Sequence, residues 1–348
     1  MHTKNLDSSF RTALAAWYRK NARKLPWREN ASPYSVWVSE IMLQQTRVEA
    51  VRHFHTRFLA ALPDISALAA APEDLLLKLW EGLGYYSRVR NMQKTARIIQ
   101  NDFGGIFPSD VKALLSLPGI GPYTAGAVSS IAFYLPAPAV DGNVLRVFSR
   151  LLEIQEIVTT PAVKKTVTEI LEKLYPAKKD KACSVFTQSL MELGATVCLP
   201  NTEPKCGECP VSDYCRAHKN NRATDYPKTM EKKKRKIQKL SVFLFYCDGK
   251  LALRKRENSG LLAGLWELPN CEAVFSEKEA AAYAESLHTA PHTLLKKTEK
   301  KHIFTHIEWH MHGYSFLCGE MPDTFTWVSP QALAETYALP TAFRQFLE

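Results

Sequence analysis

From Asp7 to about Leu193 apolar residues recur with a period of 3.6 in segment after segment, which predicts an all-α unit. Ser32-Pro33 reads as an N-cap and first-turn pair opening a helix whose later part repeats Val48, Val51, Phe54, Phe58 and Leu62 on one face. Further amphipathic stretches fall around 73–83, 87–102, 110–117, 123–134, 143–154, 161–175 and 180–194. The pattern then changes. KTMEKKKRKIQK at 228–239 has seven basic residues, one acidic and almost nothing apolar, so it buries no core and reads as a linker. Beyond it, KLSVFLFYCDGKLALRKR sets β-rich runs on either side of Asp248-Gly249, a hairpin signal. HIFTHIEWHMHGYSFLC alternates Ile303, Thr305, Ile307, Trp309 and Met311 against His302, Phe304, His306, Glu308, His310 and His312, as one strand would. Helices are expected near 276–287 and 330–347. The chain therefore divides into a helical domain over 1–226, a basic linker over 227–238 and a smaller α+β domain over 239–348.

A length of 348 residues suits two folded units, and 46% hydrophobic with 23% charged residues is ordinary globular composition. No apolar run reaches the length of a bilayer span, and the N-terminus lacks the apolar core of a secretory signal, so an intracellular, cytoplasmic location is expected. A formal net charge of +10 favours polyanionic partners such as nucleic acid or acidic lipid. The KKKRK run at 232–236 resembles a nuclear localisation signal, although a DNA-contacting or solvated linker is the preferred reading.

Four of the eight cysteines form C-x7-C-x2-C-x5-C, namely Cys198, Cys206, Cys209 and Cys215, with Pro200, Pro204 and Pro210 bending the loop. Clustered thiols in a reducing compartment are metal ligands more often than disulfides, and four of them suit either one [4Fe–4S] cluster or structural zinc. LPGIGPYTAGAV at 117–128 lies between two helical stretches. Gly119 and Gly121 allow a tight turn, with amides around Gly119, Ile120 and Gly121 facing a phosphate, as in a helix-hairpin-helix DNA clamp. A plain helical turn is the competing reading. In AVDGNVLRV, Asp141 stands at the mouth of a helix, where an isolated aspartate would be an N-cap. Glu40 is the only ionisable residue in Val36–Leu43; if that face is buried, desolvation raises its pKa and keeps a proton available near neutral pH.

A helix-hairpin-helix followed at this distance by Asp141, with a cysteine loop downstream, resembles the endonuclease III superfamily of DNA glycosylases. LPWRENASPYSVWVSEIMLQQTRV at 25–48 and EGLGYYSRVRNM at 81–92 are similar to the MutY-type adenine DNA glycosylases within it, and the C-terminal part resembles their Nudix-like 8-oxoguanine-sensing domain. The resemblance covers about residues 8–345. It implies hydrolysis of the N-glycosidic bond of adenine opposite 8-oxoguanine or guanine in double-stranded DNA, with Glu40 protonating the base and ionised Asp141 stabilising the sugar cation. Tyr123 and Asn143 match positions that orient these carboxyls. Leu25, Trp27, Arg28 and Gln188 match the adenine pocket. Gln45, Thr46, Leu83 and Tyr85 match residues that wedge into the stack and meet the opposing base, and Phe304, Thr305 and His306 match the Phe-Ser-His loop that reads 8-oxoguanine, with Thr in place of Ser. Leu83 and Tyr85 would otherwise be read as core.

Strand-cutting members place a Schiff-base lysine where this chain has Tyr123, which implies a monofunctional enzyme. GLLAGLWELP at 260–269 resembles the Nudix scaffold without the R-E-x-x-E-E acids that hold magnesium, so no pyrophosphate hydrolysis is expected. The family spacing usually begins C-x6-C, one residue shorter than here, and the family cofactor is [4Fe–4S]. A monomer without membrane association is expected. Three alternatives remain: an endonuclease III-like lyase, a catalytically dead damage binder, and a Nudix hydrolase with a DNA-binding arm.

Overall fold

The computed structural model describes residues 5–231 and 234–348. Two compact units emerge: one comprises residues up to Ala70 with Arg90–Glu231, the other Ala71–Val89 with the residues on to Glu348. The helices in chain order are α1 (Ser8–Asn21), α2 (Pro26–Glu29), α3 (Pro33–Leu43), α4 (Val48–Ala61), α5 (Ile65–Ala70), α6 (Glu73–Leu79), α7 (Ser87–Asp102), α8 (Val111–Leu115), α9 (Pro122–Ile131), α10 (Gly142–Leu152), α11 (Pro161–Leu174), α12 (Lys181–Thr196) and α13 (Arg216–Lys219). No described helix is long and apolar enough to cross a membrane.

In the first unit, side-chain caps open helix after helix: Asp7, Ser32, Asp110, Asp141, Thr160 and Asp180 each accept from a backbone amide of the turn that follows. Phe10 and Leu14 of α1, Val147, Phe148 and Leu151 of α10, and Phe186 and Leu190 of α12 share a core with Val163, Val167 and Leu171 of α11. The segment read from periodicity as one helix from Ser32 is two. It breaks between α3 and α4, where Gln45 takes the left-handed conformation at φ 61°. Apolar periodicity continues across the break because both helices present a face to the same unit, so the pattern carried no sign of it.

The second unit is a mixed sheet with helices on both faces. Its strands are β1 (Lys236–Cys247), β2 (Lys250–Lys255), β3 (Trp266–Glu267), β4 (Asn270–Cys271), β5 (Pro291–Ile303), β6 (Ile307–Cys318) and β7 (Thr326–Val328), in the order β3-β2-β1-β6-β5, with β4 on β1 and β7 on β2. The expected hairpin at Asp248-Gly249 joins β1 to β2, both turn residues having positive φ (47° and 70°). β1 and β6 pair in parallel, Leu240 beside Met311 and Phe243 beside Tyr314. Alternate residues of β1 face opposite cores. Leu240, Val242 and Leu244 pack with Trp309, Met311 and the C-terminal Phe343 and Phe346; Phe243 and Phe245 pack with Ala280 and Ala284 of α14 (Glu277–Ser286).

Two expectations fail here. The alternating run 302–318 is two antiparallel strands, β5 and β6, joined at 304–306, because Phe304-Thr305-His306 continues the alternation through the turn without Gly or Pro. The single helix expected at 330–347 is α15 (Pro330–Glu335) and α16 (Thr341–Arg344), interrupted before Pro340, which lacks an N–H for a continuing helix. β1 starts at Lys236, inside the stretch read as linker, and Lys232 and Lys233 of the basic run lie outside the described residues. Ala71–Val89, which sequence alone assigns to the helical domain, groups with the second unit.

Candidate active site

Ser32 Oγ accepts from the Ser35 amide, Pro33 fills the first turn, and every residue from Tyr34 to Met42 is buried. Glu40 therefore sits in an apolar helix with only 4% of its surface exposed. Burial pushes its carboxyl up to about 7; the nearby Asp141 charge adds to the rise, while the Tyr123 hydroxyl and Arg28 oppose it. Tyr123, in the first turn of α9, donates to Glu40 Oε2 at 2.5 Å. Burial and the two carboxyls drive the phenol's own pKa well above its usual value, so it stays a donor.

Asp141 caps its helix and also lines the cleft that holds Glu40. Oδ1 accepts from the Val144 amide at 2.8 Å, capping α10, and Oδ2 accepts from Asn143 Nδ2 at 2.7 Å. Burial pushes its pKa up, opposed by these donors and by Arg146. Glu40 and Asp141 line one open cleft of about 770 Å³, together with Leu25, Trp27, Arg28, Gln45, Thr46, Tyr123, Asn143 and Gln188. Every residue of the first unit expected to serve base excision at the carboxyls, the adenine pocket and the Gln45-Thr46 turn is thus on one surface. Gln188 is held at both amide ends: Tyr18 donates to its Oε1, and its Nε2 donates to Ser184 Oγ, each at 3.0 Å.

Three residues of the site escaped the sequence reading. Glu192, fully buried, accepts from Arg23 Nε at 2.7 Å and Nη2 at 3.0 Å and from Arg28 Nη2 at 2.7 Å, which fixes Arg28 in the cleft. Its pKa is lowered: burial pushes it up, but the two guanidiniums more than offset this. Arg146 donates from Nη2 to Asn143 Oδ1 and to the Gly194 carbonyl, and from Nε to the Cys198 carbonyl, linking Asp141 through Asn143 to the start of the cysteine loop. Arg150, one turn on, donates to Cys198 Sγ at 3.2 Å. The signal that singled out Glu40, a lone charge in an apolar helical run, is present in Leu190–Leu193 as well, and Leu145–Leu151 sets two arginines one turn apart among apolar residues.

The four cysteine thiols, with Val147, Leu151, Leu193 and Val211, line one recess. Backbone amides of Val211 and of Ala217 and His218 donate to Cys209 and Cys215. Among the described residues no three His, Cys, Asp or Glu side chains stand close enough to hold a single ion. Four thiols on one loop, with backbone N–H donors and one arginine directed at them, form a donor set that fits an iron–sulfur cluster.

In the hairpin between α8 and α9, Gly119 has φ 76°, and a side chain there would strike Asn91 Cβ at 2.9 Å. Gly121 is the N-cap of α9 at φ −91°, so its glycine is not a backbone requirement; open space surrounds its Cα. The Ile120 amide is already bonded to the Leu117 carbonyl at 3.2 Å.

In the second unit, Leu83 is 6% exposed and Tyr85 49%. Tyr85 OH is hydrogen-bonded to Thr305 Oγ1 at 2.6 Å, so these two expected contacts to the opposing base meet. Phe304 lies edge-on to His302 and Trp309. His306 accepts the Lys236 amide at its carbonyl.

Comparison with known proteins agrees with this geometry. Residues 38–176 match the HhH-GPD superfamily of base excision DNA repair proteins, and residues 241–348 match the NUDIX domain. The chain is 34% identical over 301 residues, 86% of its length and 83% of the relative's, to an adenine DNA glycosylase of Buchnera aphidicola subsp. Baizongia pistaciae. It is 32% identical over 409 residues, 98% of its length and 78% of the relative's, to the adenine DNA glycosylase of Rattus norvegicus. Among solved structures, a thermostable thymine-DNA glycosylase is similar at a TM-score of 0.55 and 29% identity, covering 61% of this chain and 96% of that one. A non-covalent endonuclease III–DNA complex is similar at 0.51 and 25%, covering 61% and 95%. With a carboxyl pair, a glycine hairpin and a four-cysteine recess in the same helical unit, the chain belongs to the adenine DNA glycosylase family.

Proposed function

We propose that this protein excises adenine mispaired with 8-oxoguanine or guanine in double-stranded DNA, as a monomer, by hydrolysis of the N-glycosidic bond and without cutting the strand. The observation that carries the reading is Glu40: a buried carboxyl, held to Tyr123, that keeps its proton near neutral pH. The adenine must leave the stack to reach it, and the cleft with Arg28, Gln188 and Trp27 offers polar and aromatic edges for the flipped base. Glu40 gives its proton to N7 as the C1′–N9 bond breaks, its electron pair leaving with the base. Asp141 faces the resulting sugar cation as a carboxylate, and water then adds at C1′. Tyr123 has no amine with which to form a Schiff base, which supports the monofunctional reading.

The four thiols of the 198–215 loop, with Arg150 and backbone amides donating to them, support one [4Fe–4S] cluster, the group implied by the family resemblance, over zinc. When bound, such a cluster supplies a rigid four-point anchor for the 198–215 loop. Equal iron and acid-labile sulfide in the purified protein is the expected analysis; zinc without iron would replace this assignment. The function is tested by single-turnover release of adenine from an A:8-oxoguanine duplex, before and after alkali. Wild type should release adenine and leave strands that break only on alkali treatment, whereas Glu40→Gln should be inactive. Binding without release by both proteins would favour a damage binder.

A further inference from the structure

Within the second unit, α6 and the turn after it are fastened to the C-terminal tail by a small buried charge network. Glu81 is 8% exposed; its Oε1 accepts the Leu339 amide at 2.8 Å, and its Oε2 meets Lys78 Nζ at 2.8 Å and Arg344 Nη1 at 3.3 Å. Lys78 spends its other protons on the carbonyls of Leu333 and Tyr337, at 2.9 and 3.1 Å. A buried ion network of this kind adds little net stability over apolar packing but strongly penalises other arrangements.

Directly after Glu81 the backbone takes a conformation that sequence preference alone would not hold. Gly82, Gly84 and Tyr85 have φ of 99°, 68° and 46°. Left-handed Tyr85 costs roughly 1–2 kcal/mol unless the surroundings fix it. The Trp80 indole N–H donates to the Gly84 carbonyl, and Arg88 donates to the carbonyls of Leu83 and Gly84 while stacking on Trp80 and Tyr85. The turn is thus rigid in itself, and Glu81 is where it is pinned to the C-terminal tail of the same unit. At its far end the Tyr85 hydroxyl reaches Thr305 Oγ1.

We propose that Glu81 is a positioning residue for reading the opposing base: it sets the register of the 80–85 turn so that Tyr85 and Thr305 stand as one preformed pair of hydroxyls. The inference rests on the mispair reading above. Its consequence is that 8-oxoguanine recognition depends on a carboxylate that touches neither DNA nor the reader loop.

The test measures Kd of the full-length protein for duplexes carrying non-cleavable 2′-fluoro-deoxyadenosine opposite 8-oxoguanine or opposite guanine. Glu81→Gln keeps the shape and removes the charge; it should cut the preference for 8-oxoguanine over guanine about fivefold or more, the scale of a lost charged hydrogen bond. Tyr85→Phe should do the same, and the double variant should lose no more than the greater single one, since both act through one pair. Arg344→Ala, on the exposed rim of the network, should lower the ratio in the same direction and carries the test if Glu81→Gln does not fold. Equal weakening for both duplexes, multiplying effects of Glu81→Gln and Tyr85→Phe, or an unchanged ratio in Arg344→Ala would overturn the proposal while leaving the mispair reading intact. A wild-type protein without preference for 8-oxoguanine would overturn both.

Discussion

Three acids at the site titrate differently, and the difference lies in how far each is buried and in what donates to it. Glu192 faces two guanidiniums and is held ionised; Asp141 receives an amide, an asparagine and the field of Arg146; Glu40 receives one phenol and keeps its proton up to about 7. Because the folded pKa of Glu40 lies above its ordinary value of 4.5, the native state binds that proton more tightly than the unfolded chain. Its burial is then without cost below pH 4 and becomes increasingly destabilising as pH rises from 4.5 towards 7. Glu40→Gln removes the penalty, so urea unfolding should show the variant more stable than wild type by about 3 kcal/mol at pH 8 and no more stable at pH 4. The same proton governs rate: single-turnover excision should fall as pH rises past about 7. Tyr123→Phe removes a donor that favours ionised Glu40, so this fall should move to higher pH in the variant; a fall at lower pH would contradict the assigned direction of the bond.

At the scale of elements, the site depends on how closely helices approach. α12 reaches α10 at Gly194, where an added Cβ would stand 2.9 Å from Asn143 Cβ. Gly194→Ala should therefore push Asn143 off Asp141, costing roughly 1–3 kcal/mol of stability by overpacking and lowering the excision rate by about an order of magnitude, as read by thermal unfolding and single-turnover kinetics. Gly126 plays the same part for α9, since a Cβ there would lie 2.0 Å from the Pro138 carbonyl oxygen. The α3–α4 break matters equally. It turns Gln45 and Thr46 into the lip of the cleft, where a continuous helix would have left them on a solvent stripe.

For the whole molecule, an excess of 45 basic over 35 acidic residues predicts that duplex affinity is driven by counterion release. Raising salt from 50 to 200 mM should weaken binding about a hundredfold or more, with a linear log–log plot; a flat response would remove the hairpin clamp from the account. The sequence by itself determined which segments bury a stripe and which alternate, and so a helical unit, a basic joint and a sheet-containing unit. It also determined the chemistry that depends on local runs: four thiols on one loop, glycines at a turn, a lone acid in an apolar helix. Only the tertiary structure decided what those groups face. Glu192 lies 169 residues from Arg23 and Glu81 lies 258 from Leu339, separations over which no local pattern reports a partner. The unit to which Ala71–Val89 belongs, the end of α3 and the turn at 304–306 were likewise hidden. Periodicity records that a face is buried, whereas which surface buries it is settled by contacts between residues far apart along the chain.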